Sequence, residues 1–162
     1  MKNLTIVRHA ESALQDAQYL DKNRPLTENG RNDALLISQR IRDAGIKPSK
    51  ILSSSATRAW ETALIIAKTI QYSENLLIKD DRLYLADIHN LVRIIEEQNK
   101  DVNKIMIIGH NPGLIELINL LSIKKIANLS TSGTVSLNIN TDDWSLITLT
   151  NKNSEHRFLL DH

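Results

Sequence analysis

The chain has 162 residues, 41% hydrophobic and 24% charged, the length and balance of one globular domain with a sizeable core. A formal net charge of +1 gives no basic surface for nucleic acid or an anionic membrane, and the absence of cysteine excludes disulfides, thiol nucleophiles and cysteine metal sites. No apolar run approaches a membrane span or the core of a signal peptide, so a cytoplasmic protein is expected, and with no obvious exposed apolar stripe for a dimer a monomer is the default.

Leu4-Thr5-Ile6-Val7 is a short apolar run with β-branched residues and reads as a buried strand. It delivers Arg8 and His9 at its carboxyl end, where open α/β sheets bind their ligands. A guanidinium fork grips phosphoryl oxygens, and a neutral imidazole nitrogen can attack phosphorus. A polar connection from Gln15 to Arg24 follows, with Arg24 either a surface residue or a second pocket cation. Thr27 then suits an N-cap, Ala34, Ile37, Ile41 and Ala44 share one helical face, and Gly45 ends that helix.

Ile51-Leu52-Ser53 is the second strand, and Ala59, Ala63, Ile66, Ala67 and Ile70 mark the helix after it. Arg58 lies where that helix begins. A cation there opposes the helix dipole unless an anion shares the spot, and helix N-termini themselves attract phosphate. Leu76-Leu77-Ile78 reads as a third strand, and Ile88, Leu91, Val92 and Ile95 as an amphipathic helix. Ile105-Met106-Ile107-Ile108 is a buried strand that delivers His110 as the first strand delivers His9. Asn111 can cap and Pro112 can open the next helix, whose buried stripe is Leu114, Leu117, Ile118 and Leu121.

After Leu129 the pattern changes to alternation. Val135, Leu137 and Ile139 on one side of Asn140-Thr141-Asp142-Asp143, and Trp144, Leu146 and Thr148 on the other, predict an antiparallel hairpin at the sheet edge. Thr131-Ser132-Gly133-Thr134 opens this hairpin; it reads as a turn, with backbone N–H groups that could meet an anion. Residues 155–162 are charged and read as a frayed tail. The expected fold is α/β, a three-layer α/β/α sandwich with a mainly parallel sheet and an antiparallel C-terminal hairpin, in a single domain spanning 1–162. His89 is expected at the surface, and His156 and His162 in solvent. No histidine or carboxylate spacing fits a metal motif, and no P-loop is present.

Arg8-His9-Ala10-Glu11-Ser12, Pro25-Leu26-Thr27-Glu28-Asn29-Gly30, Ser53 to Ala63 and Gly109-His110-Asn111-Pro112-Gly113, in that order, resemble the motifs of the histidine phosphatase superfamily. The small size and Thr131-Ser132-Gly133 are similar to its SixA-type phosphohistidine phosphatase branch. The resemblance spans Leu4 to about Leu149 and implies a phosphoglycerate mutase-like fold. It also implies His9 as the nucleophile that becomes phosphorylated, with Arg8, Arg58 and His110 completing the phosphate pocket and no metal or organic cofactor. Arg24, Asn111, Ser132 and Gly133 are further substrate-binding candidates.

Two departures matter. Ala10 stands where the family commonly has glycine, which would strain the backbone by about 1 kcal/mol if that position needs positive φ. The general acid is not evident: Asp87 is the candidate, with Glu11 behind it, but Asp87 is also well placed to cap the following helix. Between Arg58 and His110 there is room for a helix, a strand and a helix but no lid insertion, so the pocket should be open. An open pocket suits phosphohistidine on a partner protein, a phosphotransfer domain or phosphocarrier, whose amine leaving group needs little acid assistance. The competing readings are a broad small-molecule phosphomonoesterase and, from another class, a phosphate-reading module without catalysis.

Overall fold

The computed structural model describes residues 1–149 and the backbone of residues 155–160. Six strands form one sheet: β1 (Lys2–Arg8), β2 (Lys50–Ser54), β3 (Ile78–Asp80), β4 (Lys104–Gly109), β5 (Thr134–Ile139) and β6 (Glu155–Leu160), in the order β3-β2-β4-β1-β5-β6. The first four are mutually parallel, whereas β5 runs antiparallel to β1 and β6 antiparallel to β5. The helices are α1 (Glu28–Asp43), α2 (Thr57–Thr69), α3 (Ile88–Glu96) and α4 (Gly113–Leu121).

The central strands are apolar on both faces, and alternate residues serve opposite layers. Leu4 and Ile6 of β1 and Ile105 and Ile107 of β4 pack with Leu91, Ile94 and Ile95 of α3 and Leu114, Leu117 and Ile118 of α4. Val7, Met106 and Ile108 face the other way, onto Ile37 and Ile41 of α1 and Ala59, Ala63 and Ile66 of α2. This is the expected three-layer α/β/α sandwich. Thr27 caps α1 by accepting from the Gly30 amide at 2.9 Å, and Gly45 follows that helix with φ +72°.

Three local expectations are corrected. The hairpin partner of β5 is β6, not the segment from Trp144 to Thr148. Asp143 accepts from the Ser145 amide and starts a 3-10 turn over Trp144–Leu146, while the buried Trp144 indole donates to the Val102 carbonyl at 2.6 Å. The stretch 155–160, expected to be frayed, supplies that strand; the side chain of His156 and all of His162 lie outside the described residues. Leu76 belongs to a 3-10 turn (Glu74–Leu76), so β3 starts later than expected, at Ile78. Among the described residues, no helix is long and apolar enough to cross a membrane.

Candidate active site

β1 and β4 are neighbours in register, with Arg8 opposite Gly109, so the residues just beyond them, His9 and His110, emerge side by side. Their ring centroids are 5.1 Å apart. β2 lies on the other side of β4 and leads through Ser54 into α2, which brings Arg58 to the same place. Arg8, His9, Arg58 and His110 therefore meet beyond the carboxyl ends of three adjacent parallel strands, beside the point where the sheet turns antiparallel.

His9 is 8% exposed. Its Nδ1 lies 2.7 Å from the Ala10 carbonyl oxygen, which cannot donate, so Nδ1 carries the proton and Nε2 keeps its lone pair. Arg58 Nε donates to that Nε2 at 3.3 Å. Burial holds His9 down at about 4, and the cations of Arg58, Arg8 and Arg24 push the same way. His110 is pushed down to about 3, chiefly by burial and then by His9 and Arg58. Both rings are thus neutral near neutral pH. His110 Nε2 is 2.7 Å from Ser54 Oγ, and its Nδ1 is 3.5 Å from Arg58 Nη2.

Arg58 is 2% exposed despite its charge. Its charge partner is Asp21, a residue the sequence patterns do not single out. Arg58 Nη1 donates to the Asp21 carbonyl oxygen at 2.7 Å and Nη2 to Asp21 Oδ2 at 3.2 Å. Tyr84 Oη donates to the same Oδ2 at 2.5 Å, and its ring stands edge-on to His110. The Tyr84 bond above all, with Arg58 and Arg24 behind it, holds the Asp21 carboxyl down to about 2. Asp21 lies on a strap that leaves the body at Ser12 and returns at Leu26, where those two residues form an isolated bridge. Arg24 reaches the pocket edge through this strap, donating to Asp21 Oδ1, Ser12 Oγ and the Ala13 carbonyl. Some cover thus comes from the segment before α1; between Arg58 and His110 no insertion interrupts α2, β3 and α3.

On the opposite side lies the loop 129–133. Arg8 Nη1 and Asn111 Nδ2 both donate to the Leu129 carbonyl, at 2.9 and 2.8 Å. Asn111 therefore ties down this loop rather than capping α4, which begins at Gly113 rather than at Pro112. Ser132 sits in the left-handed region at φ +61°, and its amide donates to the His9 carbonyl. A Cβ on Gly133 would lie 2.6 Å from the Ser130 carbonyl oxygen, so this tight loop needs glycine there. Among the described residues, the buried donors without a protein partner include three on this side of the site: Arg8 Nε, Ser130 Oγ and Ser132 Oγ. An anion between this loop and His9 would supply acceptors for such groups.

Two candidates fall elsewhere. Asp87 is exposed and accepts from the Asn90 amide at 2.8 Å, the N-cap of α3; no hydrogen bond or ion pair joins it to the four central residues among those described. The Glu11 carboxylate accepts from Thr27 Oγ1. Ala10 is fully buried and is not among the left-handed non-glycine residues, so it carries no such strain. Among the described residues, no group of three or more histidines and carboxylates is arranged to hold a metal. Besides Asp21, Ser54 and Tyr84 escaped the sequence reading; an Asp three residues before Arg24 was the available signal for the first.

A family model described as the histidine phosphatase superfamily (branch 1) matches residues 4–84. An uncharacterised chloroplastic protein of Arabidopsis thaliana is 29% identical over 133 residues, 75% of this chain and 59% of that protein. The mitochondrial serine/threonine-protein phosphatase Pgam5 of Drosophila ananassae is 36% identical over 77 residues, 48% of this chain and 26% of that protein. The chain thus spans less than two thirds of the length of these curated relatives. Among solved structures, the phosphohistidine phosphatase SixA assigned in Agrobacterium tumefaciens superposes with a TM-score of 0.78 at 24% identity, over 85% of this chain and 92% of that one, a likeness of fold.

Proposed function

The chain belongs to the histidine phosphatase superfamily, and from that premise we propose that it removes phosphoryl groups by way of a phosphohistidine intermediate on His9 and that its substrate is phosphohistidine on a partner protein. The observation that carries the reading is the state of His9. The ring is buried and neutral, its Nδ1 proton is committed to the Ala10 carbonyl, and its Nε2 lone pair is aimed at the side of Arg58.

In the first step Nε2 attacks phosphorus, the bond from phosphorus to the substrate nitrogen breaks, and the departing imidazole takes a proton from solvent. Arg8, Arg58 and His110 surround the phosphoryl oxygens, where the transferring group must be stabilised. Water then attacks the phosphorus on Nε2, giving inorganic phosphate and restoring neutral His9. The protein substrate is favoured by the missing acid. Asp87 is a cap and Asp21 is ionised with three donors on it, so neither is suited to protonate an alkoxide. An imidazole leaving group needs far less help. The likeness of fold to the phosphohistidine phosphatase SixA is in keeping with the same substrate class.

The test pairs a phosphohistidine-bearing phosphocarrier or phosphotransfer domain with p-nitrophenyl phosphate. Expected is faster turnover of the phosphoprotein, with acid-labile phosphate on His9 that His9→Ala abolishes. Faster hydrolysis of the small ester with the phosphoprotein untouched would overturn the substrate, and catalysis surviving His9→Ala would overturn the mechanism.

A further inference from the structure

We propose that Asp21 is a positioning residue that aims Arg58 at the phosphoryl site, a role resting on the His9 reading above. The guanidinium is planar and offers two hydrogen-bonding edges. Nε and Nη2 form the side-on edge, and these face His9 Nε2 at 3.3 Å and His110 Nδ1 at 3.5 Å. Nη1 and Nη2 form the end-on edge, and Asp21 takes both of these, with its backbone carbonyl and with Oδ2. Because the group is rigid, holding the end-on edge fixes the plane and direction of the side-on edge. The side-on edge is the one left to meet two phosphoryl oxygens between the imidazoles.

Asp21 is itself held by three hydrogen bonds from two residues. Tyr84 donates to Oδ2, and Arg24 donates to Oδ1 from Nη2 at 2.9 Å and from Nε at 3.2 Å. Tyr84 stands beside His110, and Arg24 is anchored to Ser12 and Ala13 at the base of the strap. The aim of Arg58 therefore depends on a loop outside the sheet, and a buried cation gains the charge partner it requires.

The experiment measures binding of vanadate and of inorganic phosphate by calorimetry, for the wild type and for Asp21→Asn, beside the rate of His9 phosphorylation per folded molecule. Vanadate adopts the geometry of the transferring phosphoryl group, so it reads the aim of Arg58 more sharply than phosphate does. Expected for Asp21→Asn is vanadate affinity at least tenfold weaker, phosphate affinity within threefold, and phosphorylation slowed by a factor of ten or more. A merely structural role would lower the folded fraction and leave both dissociation constants unchanged; that result, or equal weakening of both anions, overturns the proposal. Should Asp21→Asn fail to fold, Tyr84→Phe carries the test. It strips one donor from Oδ2 and should weaken vanadate about threefold, and an unchanged constant overturns the proposal. Because the binding arm needs no turnover, an unphosphorylated wild-type His9 would defeat the functional reading without touching the Asp21 result.

Discussion

His110 shows how much a single proton decides at the residue scale. Arg58 Nη2 faces its Nδ1, so in this structure Nδ1 accepts and the proton sits on Nε2, donated to Ser54 Oγ at 2.7 Å. Ser54 Oγ also accepts from the Ala56 amide at 3.2 Å and keeps its own hydrogen to give. On the proposed mechanism, a phosphoryl oxygen that draws Arg58 Nη2 away would let the ring hold its proton on Nδ1 and donate it to the phosphoryl group, with Ser54 donating to Nε2 instead. Ser54 therefore supports both tautomers, and Ser54→Ala should slow His9 phosphorylation about tenfold, the worth of one hydrogen bond of about 1 kcal/mol or slightly more. Single-turnover kinetics with the phosphorylated donor check it; an unchanged rate means His110 needs no such partner. Arg8, His9, Arg58 and His110 were legible because each adjoins a strand end or helix start that hydrophobic pattern reveals. Ser54 was hidden by looking like any strand-end serine. Asp21 and Tyr84 were hidden because their meeting depends on the path of an irregular loop across 63 positions of sequence, which no periodicity encodes.

At the scale of elements, Asp87 separates two roles that one residue type can fill. As the cap of α3 it accepts from the Asn90 amide, and Asn caps as well as Asp does while Ala does not. Asp87→Asn should keep both stability and ester hydrolysis, whereas Asp87→Ala should lose about 1 kcal/mol with turnover per folded molecule retained. A steep loss of ester hydrolysis in Asp87→Asn, with unchanged urea unfolding, would restore Asp87 as the acid. Gly30 is fixed by a close approach: a Cβ there would lie 2.0 Å from the Glu11 carbonyl oxygen. The first turn of α1 is thereby pressed against the chain that leaves His9, and Thr27 N donates to the same Glu11 oxygen at 3.0 Å. Gly30→Ala should cost about 1–3 kcal/mol, read from the urea midpoint, because backbone rather than a flexible side chain must move. The C-terminal hairpin was misread for a related reason. Trp144 and Leu146 alternate as a strand would, but Asp143 caps a turn and the indole is drawn into the core under α3 and α4. Alternation over so few residues cannot be told from one turn of 3-10 helix around a buried aromatic.

On the scale of the whole molecule, the sheet order puts β1 beneath the site, with parallel β4 on one side and antiparallel β5 on the other. The layers were legible because β1 and β4 are apolar on both faces and α1 to α4 each carry one apolar stripe. The same burial gives the fold a pH dependence. An imidazole in the unfolded chain takes up its proton near pH 6.5, whereas in the folded site His9 waits until about 4 and His110 until about 3. Between those limits the unfolded state binds more protons than the folded state, so stability must fall as pH falls. Each imidazole contributes a slope approaching about 1.4 kcal/mol per pH unit where the difference is a full proton. The loss begins below pH 6.5 and ends only when the folded rings protonate. Urea unfolding at pH 7, 6 and 5 should show the decline, and the double variant His9→Gln with His110→Gln should flatten it. Phosphorylation of His9 should behave differently over the same range. His9 Nε2, the nucleophile on the proposed mechanism, stays unprotonated there, so the single-turnover rate per folded molecule should hold down to about pH 4 to 5. A rate that halves near pH 6.5 would mean that His9 titrates as an exposed imidazole, and that the burial and neighbouring cations do not hold it neutral.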